Sequence, residues 1–475
     1  MGIIMDERTE RNYLRIVKNI MNYLPSRILI LLNSIIIIPI FAHTLDAKQM
    51  SIFLLAIQVL NIILTCSFDW ISKAVLRFHE KYSQQNKLDC FISNIFCISI
   101  ISYFLILISY FLFKDFILTK YAIDNLTFLL TIILVIPCGI RQFLYQILRI
   151  QNNAKLYTLS IFLYQLGFIT LFLAICHIFP KASVIILAMI LAILAVDFYI
   201  IRMTKIKYNI QFKIQYSIVT EILKYALPLI FTNSCYWYIL NISKFIFQNQ
   251  QEYLSTAIIG TSWILANSLT PFMAIFMFTF FPVIVKKFEL KRHFKLYYTN
   301  LVQLYCFIFI PLISLVCYYS KEITSLILPE DYAQVAYVLP FFAISCFLHE
   351  FVKLINIKYH LKIKTYIEMF IAGAIAIFAY FLNIGLINKY ALMGAGLALF
   401  VTELTLIFVN VFISNKNLDY INYKSIAKTF FISTGSGFVC YCLLNSLECN
   451  YVSKIALYIC LIISFNYMFR KRILA

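Results

Sequence analysis

The chain has 475 residues, of which 62% are apolar and 13% charged, with 40 Lys and Arg against 21 Asp and Glu for a formal charge of +19. A soluble domain is roughly 45–50% apolar and 25% charged, so this composition excludes a water-soluble globule. Long uncharged runs such as 91–113, 126–140 and 184–196 alternate with short basic clusters. This reads as an all-α polytopic membrane protein, because barrel strands would alternate polar and apolar residues and these runs do not.

The start, Met1 to Asn22, is polar and charged and lacks the basic tip and apolar stretch of a cleavable signal. Within it Tyr13, Leu14, Ile16, Val17, Ile20 and Met21 recur at helical spacing opposite Arg11, Arg15 and Lys18. Such a segment suits a helix lying on a membrane surface, or a plain extension of the first span. Fourteen spans follow, at 24–44, 49–68, 91–113, 125–147, 157–179, 182–203, 225–248, 254–283, 299–319, 335–357, 366–387, 392–413, 424–445 and 451–469. The tightest hairpins fall around Pro180 and Lys389.

Charge sets the orientation. Lys and Arg total 31 across the N-terminus, the loops after even-numbered spans and the C-terminus, against 8 in the other loops, and Arg27 inside the first span completes the 40. Cytoplasmic loops carry the cation excess, so both termini are expected in the cytoplasm. The basic charge thus reports topology, not nucleic acid. The 13 cysteines fall mostly within or beside spans, as Cys66, Cys97, Cys138, Cys176, Cys306 and Cys346 do, and act there as small apolar packers. No histidines pair at metal-ligand spacing, and no metal or other cofactor is expected. Gly394-Ala395-Gly396 and Gly435-Ser436-Gly437 open spans and favour close helix packing over a phosphate cradle.

The halves repeat. Cys138-Gly-Ile-Arg-Gln-Phe-Leu144 aligns with Cys346-Phe-Leu-His-Glu-Phe-Val352 at an offset of 208 residues. Lys155-Leu-Tyr157 aligns with Lys364-Thr-Tyr366 at 209, and Tyr23-Leu-Pro25 with Ala226-Leu-Pro228 at 203. The expected organisation is therefore 1–212 as one six-helix bundle, 213–415 as a second, and 416–475 as an added hairpin. A repeat of six spans enters twice from the same side, which sets its pseudo-twofold axis along the membrane normal.

With this layout, Leu76-Arg77-Phe78 after the second span, Leu227-Pro228-Leu229-Ile230 and Leu382-Asn383 before Gly394-Ala395-Gly396, the chain resembles the polysaccharide-exporting flippases of the multidrug/oligosaccharidyl-lipid/polysaccharide (MOP) superfamily. The resemblance spans roughly 15–470. Asp69-Trp70-Ile71 stands where relatives often have Asp-Xaa-Gly, and Ser243-Lys244 where they often have Asp-Arg. It implies a monomeric transporter, not an enzyme, in a bacterial inner membrane. Such a protein moves an undecaprenyl-pyrophosphate-linked O-antigen or capsule repeat unit to the periplasmic leaflet by alternating access through a cationic central cleft. A glycan polymerase and a chain-length regulator are its implied partners, together with the bilayer.

Charged residues inside spans are the candidates. Arg27 contacts phosphate or snorkels, and Arg141, deeper and just after Pro137 and Gly139, is favoured as a cleft ligand. Lys244 is a third candidate for substrate binding, with snorkelling the favoured reading because it lies near a span end. Glu403, about ten residues from either end of its span, is expected to be protonated, paired or wet. It either couples transport to a proton or sodium gradient or bonds a neighbouring helix as a neutral acid. Glu350 and Lys353 either neutralise each other or line the cleft. Asp197, five residues before Arg202, is expected at the interface, and Glu368 at a helix start. Prolines 39, 137, 228, 271, 311 and 340 within spans are compatible with hinges. An exporter of small lipophilic or cationic compounds with the same fold is the alternative, though it usually calls for an acidic cleft. A membrane-embedded polymerase or ligase is a further one, disfavoured because the longest outward loop runs only from Ser320 to Gln334.

Overall fold

A computed structural model describes residues 25–26, 28–32, 36–70, 74, 78, 81–112, 114–121, 123–151, 153–176, 179–204, 215–274, 276, 280, 284, 288, 294–362, 364–413, 421–445, 454 and 457–458. The expected surface helix at 13–21 and most of the last span lie outside them. The described residues are helical, with no strand. In order, the helices are α1 (Ile28–Thr44), α2 (Ala47–Leu64), α3 (Leu88–Leu112), α4 (Lys114–Tyr121), α5 (Asn125–Ile150), α6 (Ala154–Cys176) and α7 (Ala182–Thr204). There follow α8 (Tyr216–Asn249), α9 (Tyr253–Asn267), α10 (Phe294–Tyr318), α11 (Ser320–Ile327), α12 (Val335–Leu361), α13 (Thr365–Phe412) and α14 (Tyr423–Asn445). Nine segments among the described residues are long and apolar enough to cross a bilayer, and one of them, α13, has 48 residues. Ala391 divides α13 with φ 47° and ψ −125°, which is the hairpin expected near Lys389. The reversal requires glycine at 394, where a Cβ would lie 2.1 Å from the Leu386 carbonyl oxygen. Gly396 lets Phe341 approach in the same way, whereas nothing approaches Gly435.

Two compact units emerge. The first comprises Ile28–Gly260 with Ala372–Tyr380; the second comprises the described residues of Met1–Arg27, Thr261–Ile371 and Phe381–Ala475. Helix α8, assigned by the repeat to the second bundle, packs in the first unit, so spatial grouping and duplication divide the chain at different points.

In the first unit, Asp46 and Asp124 cap α2 and α5 by accepting the Gln49 and Thr127 amides at 2.6 and 2.9 Å. Each such cap contributes about 1 kcal/mol. The turn at Pro180 closes where the Ala182 amide donates to Gln49 Oε1 at 2.9 Å. Phe41 meets Phe53 and Phe172 edge-on at 5.1 and 4.8 Å, fastening α1 to α2 and α6. Helix α2 continues into a π-helical turn, Thr65–Asp69, whose Phe68 ring lies against Gly139 of α5. A single π-turn shifts the side-chain register, and such turns recur at functional sites. On α3, Ile101, Phe104, Leu105, Ile108 and Leu112 are exposed along one face, an apolar strip that hydrocarbon chains cover without cost.

In the second unit, α10 packs between α12 and α14. Its Tyr305 stacks on Phe347 at 5.4 Å, and its Gln303 donates to Ser425 Oγ and Thr429 Oγ1 at 2.7 and 3.0 Å. Ser425 and Thr429, one turn apart on α14, thereby satisfy an amide that apolar neighbours would strand.

Candidate functional site

Each unit buries a group of charged side chains within its own helices. In the first, Arg141 projects from α5 about two turns before the helix ends and is half-buried. Its guanidinium lies over the Tyr164 ring of α6, 4.3 Å from the centroid, as a cation over an aromatic face. Asp197, Tyr145 and Cys138 are close enough to act on its charge. Asp197 does not reach the interface as expected. It is 4% exposed inside the unit, and neither carboxylate oxygen has a hydrogen-bond partner among the described residues. An acid so placed is tolerated beside a positive charge or in its protonated form. Arg141, over the Tyr164 ring, is the positive charge near it.

The next residue of α5 extends the group. Gln142 Nε2 donates to Asp69 Oδ1 at 2.8 Å, and Thr65 Oγ1 donates to Asp69 Oδ2 at 3.0 Å. Thr65 and Asp69 stand four residues apart, on one face of the helix end, within the π-helical turn. Hydrogen bonds to a charged acceptor contribute roughly 1.5–3 kcal/mol each.

Lys244 of α8 does not snorkel. It is 1% exposed, and its ammonium donates to Asn241 Oδ1, one turn back, at 2.6 Å. Asn241 in turn donates to the Trp237 carbonyl at 2.8 Å, so the helix itself supplies an acceptor and the long side chain stays inside. Arg27 lies outside the described residues.

In the second unit, Glu403 of α13 is fully buried, and its Oε1 lies 3.0 Å from Nδ1 of His349 on α12. Its Oε2 has no hydrogen-bond partner among the described residues. The acid thus has an imidazole partner on the neighbouring helix. Glu350, next to His349, accepts from Lys353 Nζ at 2.6 Å. The Lys353 side chain is 43% exposed, and the two opposite charges offset each other. Farther along α12, Lys358 donates to the Asn410 carbonyl at 2.7 Å, while Glu368 accepts from Asn356 at 3.1 Å and lies 3.2 Å from His360 Nε2. Glu368 thus ties the end of α12 to the start of α13.

Sequence reasoning missed His349, Asp69 and Lys358. The signal for His349 was present: it sits within the repeated heptapeptide, at the position of Arg141. No group of three His, Cys, Asp or Glu able to hold a metal occurs among the described residues.

No family model matches the chain, and no curated protein matches it. Solved structures do. Lipid II flippase MurJ, in an inward closed conformation, superposes with a TM-score of 0.70 at 16% identity over 97% of this chain and 100% of that one. A eukaryotic MATE transporter gives 0.58 at 12% identity, over 90% and 99%. An inward-facing multidrug resistance MATE family transporter of the MOP superfamily gives 0.54 at 14%, over 83% and 94%. The chain therefore has the fold of the MOP transporters and is a multi-pass membrane protein.

Proposed function

We propose that the protein is a flippase that moves a polyprenyl-pyrophosphate-linked oligosaccharide, an O-antigen or capsule repeat unit, across a bacterial inner membrane by alternating access. Arg141 carries this reading. It is a permanent cation deep in an apolar helix, half-exposed, with its charge balanced by an acid that makes no hydrogen bond to it. A phosphate with several anionic oxygens competes well for such a guanidinium, because bidentate hydrogen bonding suits both. The fold supports the same reading, since MurJ is described as a lipid II flippase. Arg27 and Lys244 are the further candidate contacts, and Glu403, Glu350 and Lys353 are the candidates for ion coupling. Both termini are placed in the cytoplasm by the basic loops.

The test is binding of polyprenyl diphosphate to the purified chain in nanodiscs, with surface polysaccharide as the cellular readout. Arg141→Ala should weaken binding at least tenfold and abolish polysaccharide assembly while insertion persists. Arg141→Lys should recover part of the charge but not the bidentate contact. Normal surface glycan in Arg141→Ala would refute the assignment.

Export of a small lipophilic cation is the second reading. The MATE likenesses and the hydrogen-bond-free carboxylate of Asp197 favour it. Stabilisation by a lipophilic cation but not by polyprenyl diphosphate would select it.

A further inference from the structure

The two compact units carry a related charge arrangement at one place in the internal repeat. Within the matched heptapeptides, His349 stands 208 residues after Arg141. Their acidic neighbours, Glu403 and Asp197, stand 206 apart and lie on the helix that follows two spans later in each half. Arg141 acts on Asp197 between α5 and α7, and His349 meets Glu403 between α12 and α13. The acids lie outside the matched strings, so the folded chain is needed to reveal the correspondence.

The copies differ in one chemical respect. A guanidinium keeps its proton at any physiological pH, whereas an imidazole exchanges its proton near neutrality. The cation of the first copy keeps its charge; that of the second gains or loses one proton. The groups around the second pair do not take over that role. On α12, Glu350 is engaged by Lys353 at 2.6 Å, and the thiol of Cys346 lies near Glu350, Glu403 and Lys353. From α10, Tyr305 stands beside Glu350 with its hydroxyl donating to the Phe347 carbonyl at 3.3 Å. Thr270, beyond α9, interacts with Cys346, and Lys358 is bonded to the Asn410 carbonyl at 2.7 Å. Glu403 is the acid that α13 contributes, with one buried oxygen bonded to nothing else among the described residues.

We propose that His349 and Glu403 form a one-proton binding site, the exchangeable counterpart of Arg141 and Asp197, and that the proton is the coupling ion of this transporter. Uptake of one proton from water brings the pair from a net negative charge to neutrality, and release returns the proton to water. A sodium site demands several oxygen ligands, as hard cations do, and an imidazole with a single carboxylate does not provide them. The coupling role rests on the transport reading above, whereas the site itself is measured without substrate.

The experiment is infrared difference spectroscopy of the full chain in nanodiscs between about pH 5 and pH 8, the range in which an imidazole titrates, with sodium or potassium as the salt. The wild type should show a carboxyl and imidazole difference band that is independent of the cation and is lost in both Glu403→Gln and His349→Gln. A band that survives in Glu403→Gln, or that sodium displaces, overturns the proposal. Should His349→Gln fail to insert, Glu403→Gln and the salt exchange on the wild type still decide. A wild type that shows the band but binds no polyprenyl diphosphate refutes the flippase reading and upholds the proton site; one that binds the lipid without the band does the reverse.

Discussion

Replacing His349 by Leu strips Glu403 of the imidazole 3.0 Å away and leaves a fully buried carboxyl whose Oε2 already has no partner. Breaking a buried pair from one side costs about 3–5 kcal/mol, because the surviving charge stays desolvated. An independent ceiling comes from protonation: an acid of ordinary strength takes up a proton at pH 7 at a cost of about 3.7 kcal/mol, falling by about 1.4 for each pH unit below that. The two agree on a loss of about 3–4 kcal/mol at pH 7, shrinking to less than half near pH 5.5. Replacing both residues with Leu should recover most of it, since a volume-matched apolar pair is often neutral or better than a buried ionic one. Unfolding in detergent, followed by a thiol-reactive dye that reports exposure of the buried Cys306 and Cys346, measures all three proteins. A single variant within about 1 kcal/mol of the wild type, a penalty independent of pH, or a double variant no more stable than His349→Leu would refute the reasoning.

Gly394→Ala should prevent the reversal between the two halves of α13, because the new methyl would stand 2.1 Å from a backbone oxygen that cannot rotate away; yield of folded protein reports it. Ala391→Gly should raise stability by about 1 kcal/mol in the same unfolding assay, by relieving φ 47° at a residue with a Cβ. Burial, followed by its hydrogen bond to Glu221, raises the Tyr82 hydroxyl to about 12. Its contribution to stability is therefore complete below about pH 10 and lost as pH rises through about 12. Glu221→Gln should lower that titration part of the way, since burial is the larger cause; tyrosine-ring carbon resonances assigned with Tyr82→Phe would show it. A cytoplasm-only reporter should be active after Lys287 and silent after Lys321, and the opposite pattern would overturn the orientation.

Apolar runs and their basic punctuation disclose the helices well because backbone satisfaction in lipid leaves one option. The hairpins around Pro180 and Lys389 were legible as short breaks between apolar runs, whereas the carbonyl that Gly394 admits was not, since its glycines read as helix packing. Side-chain environments were not. Lys244 near a helix end looks like a snorkelling residue until Asn241 is seen to accept its hydrogen bond from within. Asp197 looks interfacial beside Arg202, yet it faces a cation 56 residues earlier in the chain. His349 and Glu403 are 54 residues apart, and pairings at that distance leave no periodic trace in a single sequence. The grouping of α8 with the first unit was equally hidden, since its composition does not say which neighbours cover it.

That grouping bears on how the chain is built. Trp70, Ala74, Phe78, Tyr82, Phe91 and Ile92 form one apolar cluster with Ile218, Ile222 and Ala226, the opening turns of α8. A ribosome releasing the chain from its N-terminus delivers the last part of that cluster only after the spans up to α7 have been synthesised. A nascent chain stopped at residue 212 would carry an open apolar seam, and a translocon or chaperone that shields it until α8 arrives would be part of this protein's biogenesis.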